Sequence, residues 1–204
     1  MTRSPSLDIT AMRSRAIVRW MRRILFIAGA LATAYVAVTL LHAKLYQKAA
    51  DSTLENQSRT QEQSNAIPMP AVASEGGVVG RIEIPRLGIS VAILEGTTSR
   101  TLRLGVGHIA QTSLPGQPGN IGIAGHRDTY FRALKDTRTN DMILIQTAIG
   151  VTHYKVDWIR IVAPGDTGVL APSMESALTL VTCYPFYFIG ASPKRYIVHA
   201  LRIQ

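Results

Sequence analysis

Three side chains that are far apart in the sequence have the types needed for nucleophilic chemistry on a carbonyl group. Cys183, the only cysteine among 204 residues, ends an apolar run rich in β-branched residues, and Pro185 stops that run. A thiolate is a strong nucleophile, and a histidine usually serves as its base or proton donor. His126 is the best placed of five histidines, because it follows a short apolar run thinned by glycines, against which another part of the chain should pack.

Arg195 begins the next apolar run, residues 195–203. If this run pairs antiparallel with the one that ends at Cys183, the thiol and the guanidinium become neighbours. A fixed positive charge would favour the thiolate and could hydrogen-bond an oxyanion. The alternative is a non-enzymatic β module that binds a partner, with Cys183 buried and inert. Reaction of the thiol with a polar alkylating reagent would separate the two hypotheses.

Two further residues are candidate substrate contacts. His108 lies at the start of a loop rich in glycine and proline that could approach the same cleft. Thr182 precedes the nucleophile and could offer its backbone or hydroxyl to a substrate, although it could equally be an ordinary strand residue. His153 and His199 lie in the middle of predicted strands, where a structural role is expected.

No metal or cofactor is expected. No two histidines have the spacing of metal ligands, and a single cysteine removes the usual zinc patterns. Four loop carboxylates could supply oxygen ligands for calcium, but they lack a dense ligand spacing and are interpreted as solvated charges. These residues are Asp136, Asp141, Asp166 and Glu175.

The elements that must position these groups are mainly β-strands. Short apolar runs separated by turn residues predict strands at 81–84, 89–94, 121–125, 142–146, 151–161, 178–183 and 195–203. Residues 105–108 open a loop, and 129–134 are expected to form a helical turn. Seven or eight closely spaced strands with little helix indicate a sandwich or a closed barrel.

An uncharged apolar stretch, residues 24–41, precedes this domain. At about 1.5 Å per residue in a helix it spans about 27 Å, close to the hydrocarbon thickness of a bilayer. The six arginines before it predict that the N-terminus stays inside and the rest is exported. A cleavable signal peptide is the competing interpretation, but the stretch is longer than a usual signal core. The predicted organisation is a cytoplasmic tail (1–23), an anchor (24–41), an extracytoplasmic stalk (42–78) and a catalytic domain (79–204).

The net charge of +9 does not indicate nucleic-acid binding. The tail holds six arginines against one aspartate, whereas residues 69–204 hold 13 basic and 9 acidic residues. That region shows neither a basic helix nor arginines interleaved with aromatic residues, which are the usual marks of a nucleic-acid-binding surface.

The order of the chemical residues resembles that of the sortases, membrane-anchored cysteine transpeptidases of bacteria. The matching stretches are TLVTC at 179–183 and PGNIGIAGHR at 118–127, with Arg195 twelve positions after the cysteine. The TCYPF continuation and the proline-glycine loop before His126 are most similar to class D sortases. The resemblance implies an eight-stranded sortase-type β-barrel with short helical turns, preceded by one transmembrane helix.

The resemblance also implies an activity and its partners. Cys183 would attack the threonine carbonyl of an LPxT-like C-terminal sorting signal in an exported protein. An amine from a cell-wall precursor or a protein subunit would then release the product as a new amide. His126 would act as acid and base, and Arg195 would stabilise the oxyanion. Two other cysteine enzymes fit less well: in an L,D-transpeptidase the histidine lies close before the cysteine, and in a papain-like hydrolase it follows the cysteine.

Overall fold

A computed structural model describes residues 9–63, 73–187 and 190–203 of the chain. The contacts divide the chain into two compact units, Met1–Lys44 and Leu45–Gln204. The start of the predicted cytoplasmic tail and the proline-containing part of the predicted stalk, 67–70, lie outside the described residues. The division into tail, anchor, stalk and catalytic domain stays a prediction.

Helix α1, Ile9–Gln63, is one continuous helix. Within it, Arg19–Ala50 is long and apolar enough to cross a membrane, with a mean hydropathy of 2.3 and none of its most apolar window buried in the protein. This stretch includes the uncharged residues 24–41 on which the sequence prediction rests. The helix continues well beyond them, and residues 45–50 belong to the second compact unit.

The second unit contains a closed barrel of eight strands, as the resemblance to sortases predicts. The barrel order is β1-β2-β3-β4-β7-β8-β6-β5. The strands are β1 Val78–Ile84, β2 Ile89–Glu95, β3 Val106–His108, β4 Asn120–Ala124, β5 Met142–Thr147, β6 Gly150–Val162, β7 Ala177–Tyr184 and β8 Lys194–Ile203. A short helix, α2 Ser99–Leu104, and three 3-10 turns, Pro85–Leu87, Arg132–Asp136 and Gly168–Leu170, complete the unit.

Alternating side chains fill the barrel interior, because successive residues of a strand point to opposite faces. Strand β1 contributes Ile82 and Ile84, and β4 contributes Ile121 and Ile123, all with no exposed surface. The predicted strands are therefore confirmed to within a few residues. The sequence interpretation missed α2, whose six residues are too few to show helical periodicity.

Three neighbouring strands carry the residues of chemical interest. Strand β4 pairs parallel with β7, and β7 pairs antiparallel with β8. Parallel neighbours need a crossover connection, so β4 and β7 can be adjacent although two strands separate them in sequence. This arrangement brings together the ends of three strands that lie far apart in the chain.

The interpretation of Asp141 as a solvated loop charge was wrong. Its side chain is only 6% exposed and accepts hydrogen bonds from Nε and Nη2 of Arg86. It also accepts a hydrogen bond from the backbone N–H of Arg138, at 2.7 Å. The Arg86 hydrogen bonds are the main cause that lowers the pKa of Asp141 below its usual range, against the opposite effect of burial. Asp141 thus links the 3-10 turn after β1 to the start of β5.

Candidate active site

Cys183 and Arg195 lie directly opposite each other on neighbouring antiparallel strands. The β7–β8 register pairs Cys183 with Arg195 and Val181 with Ile197. Opposed residues in such a ladder have Cα atoms about 5 Å apart and side chains on the same face. The predicted antiparallel pairing of these two strands is confirmed, and the side chains of Cys183 and Arg195 leave the two strands at paired positions.

Both side chains lie on the outer face of the barrel. Leu178 and Leu180 of β7 and Val198 of β8 belong to the core, and the period of two assigns Cys183 and Arg195 to the opposite face. Cys183 is half-buried, so it is neither a fully buried core residue nor an unrestrained surface group. The thiol is held by a rigid strand at the edge of the solvent.

The parallel pairing of β4 and β7 leads the chain to His126 near the end of β7 that carries Cys183. Ala124 pairs with Val181, and the N–H of Gly125 donates to the Val181 carbonyl at 3.1 Å. The Thr182 hydroxyl then donates to the Gly125 carbonyl at 2.7 Å. Continued two residues beyond the Ala124–Val181 pair, this register would bring His126 level with Cys183. We therefore expect the half-buried His126 on one side of the thiol and Arg195 on the other.

The turn that follows His126 is fixed by the buried side chain of Phe131. The Phe131 N–H donates to the His126 carbonyl at 3.1 Å, and its ring has no exposed surface. A Cβ atom at position 125 would lie 2.6 Å from Cδ2 of that ring, so only glycine fits there. The expectation that another part of the chain packs against this glycine-thinned strand is confirmed.

The connection between β6 and β7 covers the outer face of β4 below the site. Thr179 donates its hydroxyl to the side-chain oxygen of Asn120 at 2.8 Å, and the Asn120 amide donates to the carbonyls of Val169 and Ala171, both at 3.1 Å. Leu170, from the same connection, comes close to Gly122. Residues 169–171 therefore pack against the outer faces of β4 and β7, the strands that lead to His126 and Cys183.

The loop between β7 and β8 is held to the His126 side of the site by two contacts. Nη2 of Arg127 donates to the Gly190 carbonyl at 3.1 Å. Lys135 lies over the ring of Tyr187, with Nζ 5.7 Å from the ring centroid. Its hydrogen bond with Tyr187 and the charge of Asp136 raise the pKa of Lys135. Nη1 of Arg195 donates to the Ser192 carbonyl of the same loop at 3.3 Å, and to the carbonyl of Lys194, the first residue of β8, at 3.1 Å.

A cluster of three aromatic side chains supports the strand ends. Phe186 packs edge-on against Tyr196 with ring centroids 5.1 Å apart, and Tyr184 stacks on Tyr196 at 6.3 Å. Burial is the main cause that raises the pKa of Tyr196, so its hydroxyl stays neutral. These rings flank Cys183 and Arg195 in sequence and restrict the positions that both strands can adopt.

The two predicted substrate contacts, His108 and Thr182, are both engaged within the protein. His108 is 2% exposed; its Nδ1 lies 2.9 Å from a Glu95 carboxylate oxygen, and its Nε2 lies 3.1 Å from the Ser113 carbonyl and from the Thr112 hydroxyl. Thr182, also 2% exposed, uses its hydroxyl to join β7 to Gly125. Contact of either residue with a substrate stays a prediction.

The sequence interpretation missed the residues that hold the chemical groups in place. Phe131, Gly125 and Asn120 have no reactive groups, and their importance comes from contacts between distant parts of the chain. A glycine next to the candidate histidine was the one available signal. Among residues 9–63, 73–187 and 190–203, no three His, Cys, Asp or Glu side chains converge as metal ligands.

A barrel that brings a half-buried thiol, an imidazole and a guanidinium to adjacent strand ends has the groups of a cysteine acyl-transfer enzyme. The thiol can attack a carbonyl, the imidazole can exchange protons with amines, and the guanidinium can stabilise negative charge.

A family model described as the Sortase domain matches residues 82–203. Sortase D of Bacillus subtilis (strain 168) is 32% identical over 166 residues, which are 81% of this chain and 83% of that protein. Sortase A of Staphylococcus aureus is 32% identical over 186 residues, covering 81% and 88% of the two chains. The solved structure of a Clostridium perfringens Sortase D5 transpeptidase superposes with a TM-score of 0.65 at 28% identity, covering 79% of this chain and 98% of its own.

The chain belongs to the sortase family and is a cysteine transpeptidase. The resemblance to class D sortases is consistent with two of these relatives. Family membership sets aside the L,D-transpeptidase and the non-enzymatic binding module as alternatives.

Proposed function

We propose that the protein cleaves an LPxT-like sorting signal near the C-terminus of an exported protein and joins the threonine carboxyl group to an amine. The observation that supports the proposal is the register that pairs Cys183 with Arg195, together with the parallel pairing of β4 and β7, which ends two residues before His126 and Cys183. Sortases in general act on proteins with sorting signals and on amine acceptors. The half-buried thiol on a rigid strand is suited to receive an extended peptide from the solvent side.

In the first half-reaction, the Cys183 thiolate attacks the threonine carbonyl and a tetrahedral oxyanion forms. Arg195 stabilises that oxyanion with a guanidinium that is charged at any physiological pH and presents a planar set of donors. The carbon–nitrogen bond after threonine then breaks, and His126 gives its proton to the departing amine. The products are a thioester on Cys183 and a new N-terminus on the released tail.

In the second half-reaction, the acceptor amine attacks the thioester. His126, now neutral, takes the proton that the amine must lose, and the thiolate leaves as the new amide forms. The bond broken and the bond made are both amides, so the cycle needs no cofactor. The acceptor is a cell-wall precursor or an amine of another protein subunit.

In this scheme Thr182 holds the two reacting residues in position and does not itself react. Its hydroxyl bond to Gly125 fixes the distance between the strand that ends in Cys183 and the strand that leads to His126. The role of His108 as a substrate contact would require the loop around Ser113 to rearrange, because both ring nitrogens have partners within the protein.

The helix that includes residues 24–41 is proposed to be a retained single-pass anchor in the cytoplasmic membrane. The N-terminus would stay inside, and the catalytic domain would lie outside, where exported proteins and cell-wall precursors meet. The excess of arginines before the apolar stretch supports this orientation. Because Cys183 is the only cysteine, a thiol reagent that cannot cross membranes should label the protein in intact cells. No labelling until the cells are lysed would contradict the orientation.

The reaction itself is tested with the full-length chain in detergent micelles. The protein is incubated with a library of LPxT-like peptides and an amine acceptor, and intact mass is read on protein and products. We expect a thioacyl adduct on Cys183 and peptides cut after threonine and joined to the amine. Cys183→Ala should form no adduct and keep the thermal unfolding of the parent. Failure of the parent to form an adduct with any peptide, while its thiol reacts with alkylating reagents, would refute the proposed substrate.

A further inference from the structure

The C-terminal part of the apolar helix packs against the catalytic barrel through residues 45–50. Ala50 is only 2% exposed and packs with Ala92 and Leu94 of β2. The Tyr46 hydroxyl donates to the Gly76 carbonyl at 3.0 Å, and Tyr46 joins the same apolar cluster. This docked segment, residues 45–50, is therefore an integral part of the catalytic unit.

Gln47 makes the most specific contacts of the docked segment. Its side-chain oxygen accepts the backbone N–H of Ala92 at 2.8 Å, and its side-chain nitrogen donates to the Leu104 carbonyl. Strand β3 pairs with β2 only from Ile93 onward, so the edge of β2 at Ala92 has no strand partner on that side. One amide side chain thus satisfies a donor at a strand edge and an acceptor at a helix end.

Leu104 is the last residue of α2, where backbone carbonyls lack partners within the helix. Its carbonyl accepts a second hydrogen bond, from the Tyr130 hydroxyl at 3.0 Å. Burial raises the pKa of Tyr130, and a hydrogen bond from Gln47 acts in the opposite direction. Gln47 and Tyr130 therefore meet at one carbonyl oxygen, although 83 positions separate them in the sequence.

Tyr130 lies in the turn that follows His126. Its neighbour Phe131 anchors the turn on the inside of the barrel through the bond to the His126 carbonyl and the contact with Gly125. Tyr130 anchors the same turn on the outside, at the end of α2. Tyr130 therefore connects the end of α2 to the turn that follows His126.

We propose that Gln47 is a positioning residue for His126, acting through the Leu104 carbonyl and Tyr130. The docked segment of the membrane-proximal helix then sets the activity of the catalytic site. This inference rests on the proposed acid-base role of His126. It predicts that removing the docked segment lowers the rate of transfer even when the barrel remains folded.

The test compares variants of the full-length chain in micelles. Gln47→Ala removes the side-chain bonds to Ala92, Leu104 and Tyr130, and Tyr130→Phe removes only the hydroxyl, which bonds the carbonyls of Arg103 and Leu104. We expect each variant to lower kcat by about fivefold to tenfold with little change in KM, because the loss of orientation acts on proton transfer. The double variant should lose less than the product of the two single effects, since both bonds end on one carbonyl.

Two controls separate positioning from stability. Tyr46→Phe removes a hydrogen bond from the same docked segment that does not involve Leu104, so it should lower Tm and keep kcat. Lys48→Ala, on the exposed side of the same helical turn, should change neither. The pH dependence of kcat and the NMR titration of the His126 imidazole should shift in Gln47→Ala and in Tyr130→Phe, and in neither control.

The results separate this inference from the proposed function. A thioacyl adduct on the parent protein supports the function whatever Gln47 does, and the imidazole titration reports on Gln47 even without a known substrate. If Gln47→Ala and Tyr130→Phe lower Tm but leave kcat, its pH dependence and the His126 titration as in the parent, the contacts are only structural and the inference is wrong. Multiplicative effects in the double variant would also refute the shared path through Leu104.

Discussion

Replacing Thr182 with valine tests the register of the active site directly. Valine keeps the shape and the β-branched character of threonine and removes only the hydroxyl that donates to the Gly125 carbonyl at 2.7 Å. Because Thr182 is 2% exposed, water cannot readily replace that bond. The carbonyl of Gly125, the residue immediately before His126, would then have lost this hydrogen-bond donor.

The magnitude follows from the burial of this bond. Leaving a buried carbonyl without its donor costs about 1–3 kcal/mol, which lowers Tm by about 4 °C for each kcal/mol in a domain of this size. The larger effect is expected on catalysis, because β4 and β7 are joined here next to both reacting groups. A displacement of about 1 Å between thiol and imidazole would lower kcat by up to about 100-fold.

A matched control is available on the other side of the barrel. Thr147 donates its hydroxyl to the Gly150 carbonyl at 3.2 Å in the hairpin between β5 and β6, and β5 is not adjacent to β4, β7 or β8. Thr147→Val should lower Tm and leave kcat unchanged. Both variants are assayed for Tm by calorimetry and for kcat by peptide transfer at 25 °C. Normal kcat in Thr182→Val, or an equal loss in both variants, would refute the reasoning.

Three further predictions concern the same unit. Gly125→Ala should lower kcat and Tm, because the added Cβ would lie 2.6 Å from the Phe131 ring; activity equal to that of the parent would show that the ring can move aside. Arg195→Lys keeps the charge and loses the planar set of donors, so transfer measured by mass spectrometry should fall by about tenfold or more, and full activity would contradict the oxyanion role. The Arg86 hydrogen bonds lower the pKa of Asp141, so this pair stabilises the fold above the usual carboxylate pKa and ceases to do so as the pH falls through the lowered value. Urea unfolding at pH 7 and at pH 3 should therefore show a smaller acid-induced loss of stability in Asp141→Asn than in the parent, and equal losses would refute the assignment.

Local patterns in the sequence predicted most of the barrel. Strands β5, β6, β7 and β8 could be predicted to within two residues, because each is an apolar or alternating run bounded by turn residues. The pairing of Cys183 with Arg195 was also predictable, since consecutive strands of this length commonly form an antiparallel pair. Strand β3 and helix α2 were not predicted, because their three and six residues are too short to carry a periodicity.

The packing of polar side chains could not be predicted in the same way. Asp141 was expected in solvent and is buried against Arg86, which lies 55 positions away. The sequence suggested that the loop of His108 could approach the cleft, and it did not indicate that the ring would lie within hydrogen-bond distance of Glu95, Thr112 and Ser113. In both cases the partner is chosen by the closure of the barrel, and no local feature of the sequence indicates which polar groups will meet.

The apolar helix, the strand pattern, the resemblance to sortases and the three candidate catalytic residues could be predicted from residue types and their order along the chain. The contacts that hold those residues in place depend on which distant segments meet when the chain folds. The parallel pairing of β4 with β7, the hydroxyl bond from Thr182 to Gly125 and the meeting of Gln47 with Tyr130 at Leu104 all join distant segments. Such contacts form when the barrel closes and when residues 45–50 pack against it, and no local pattern in the sequence predicts them.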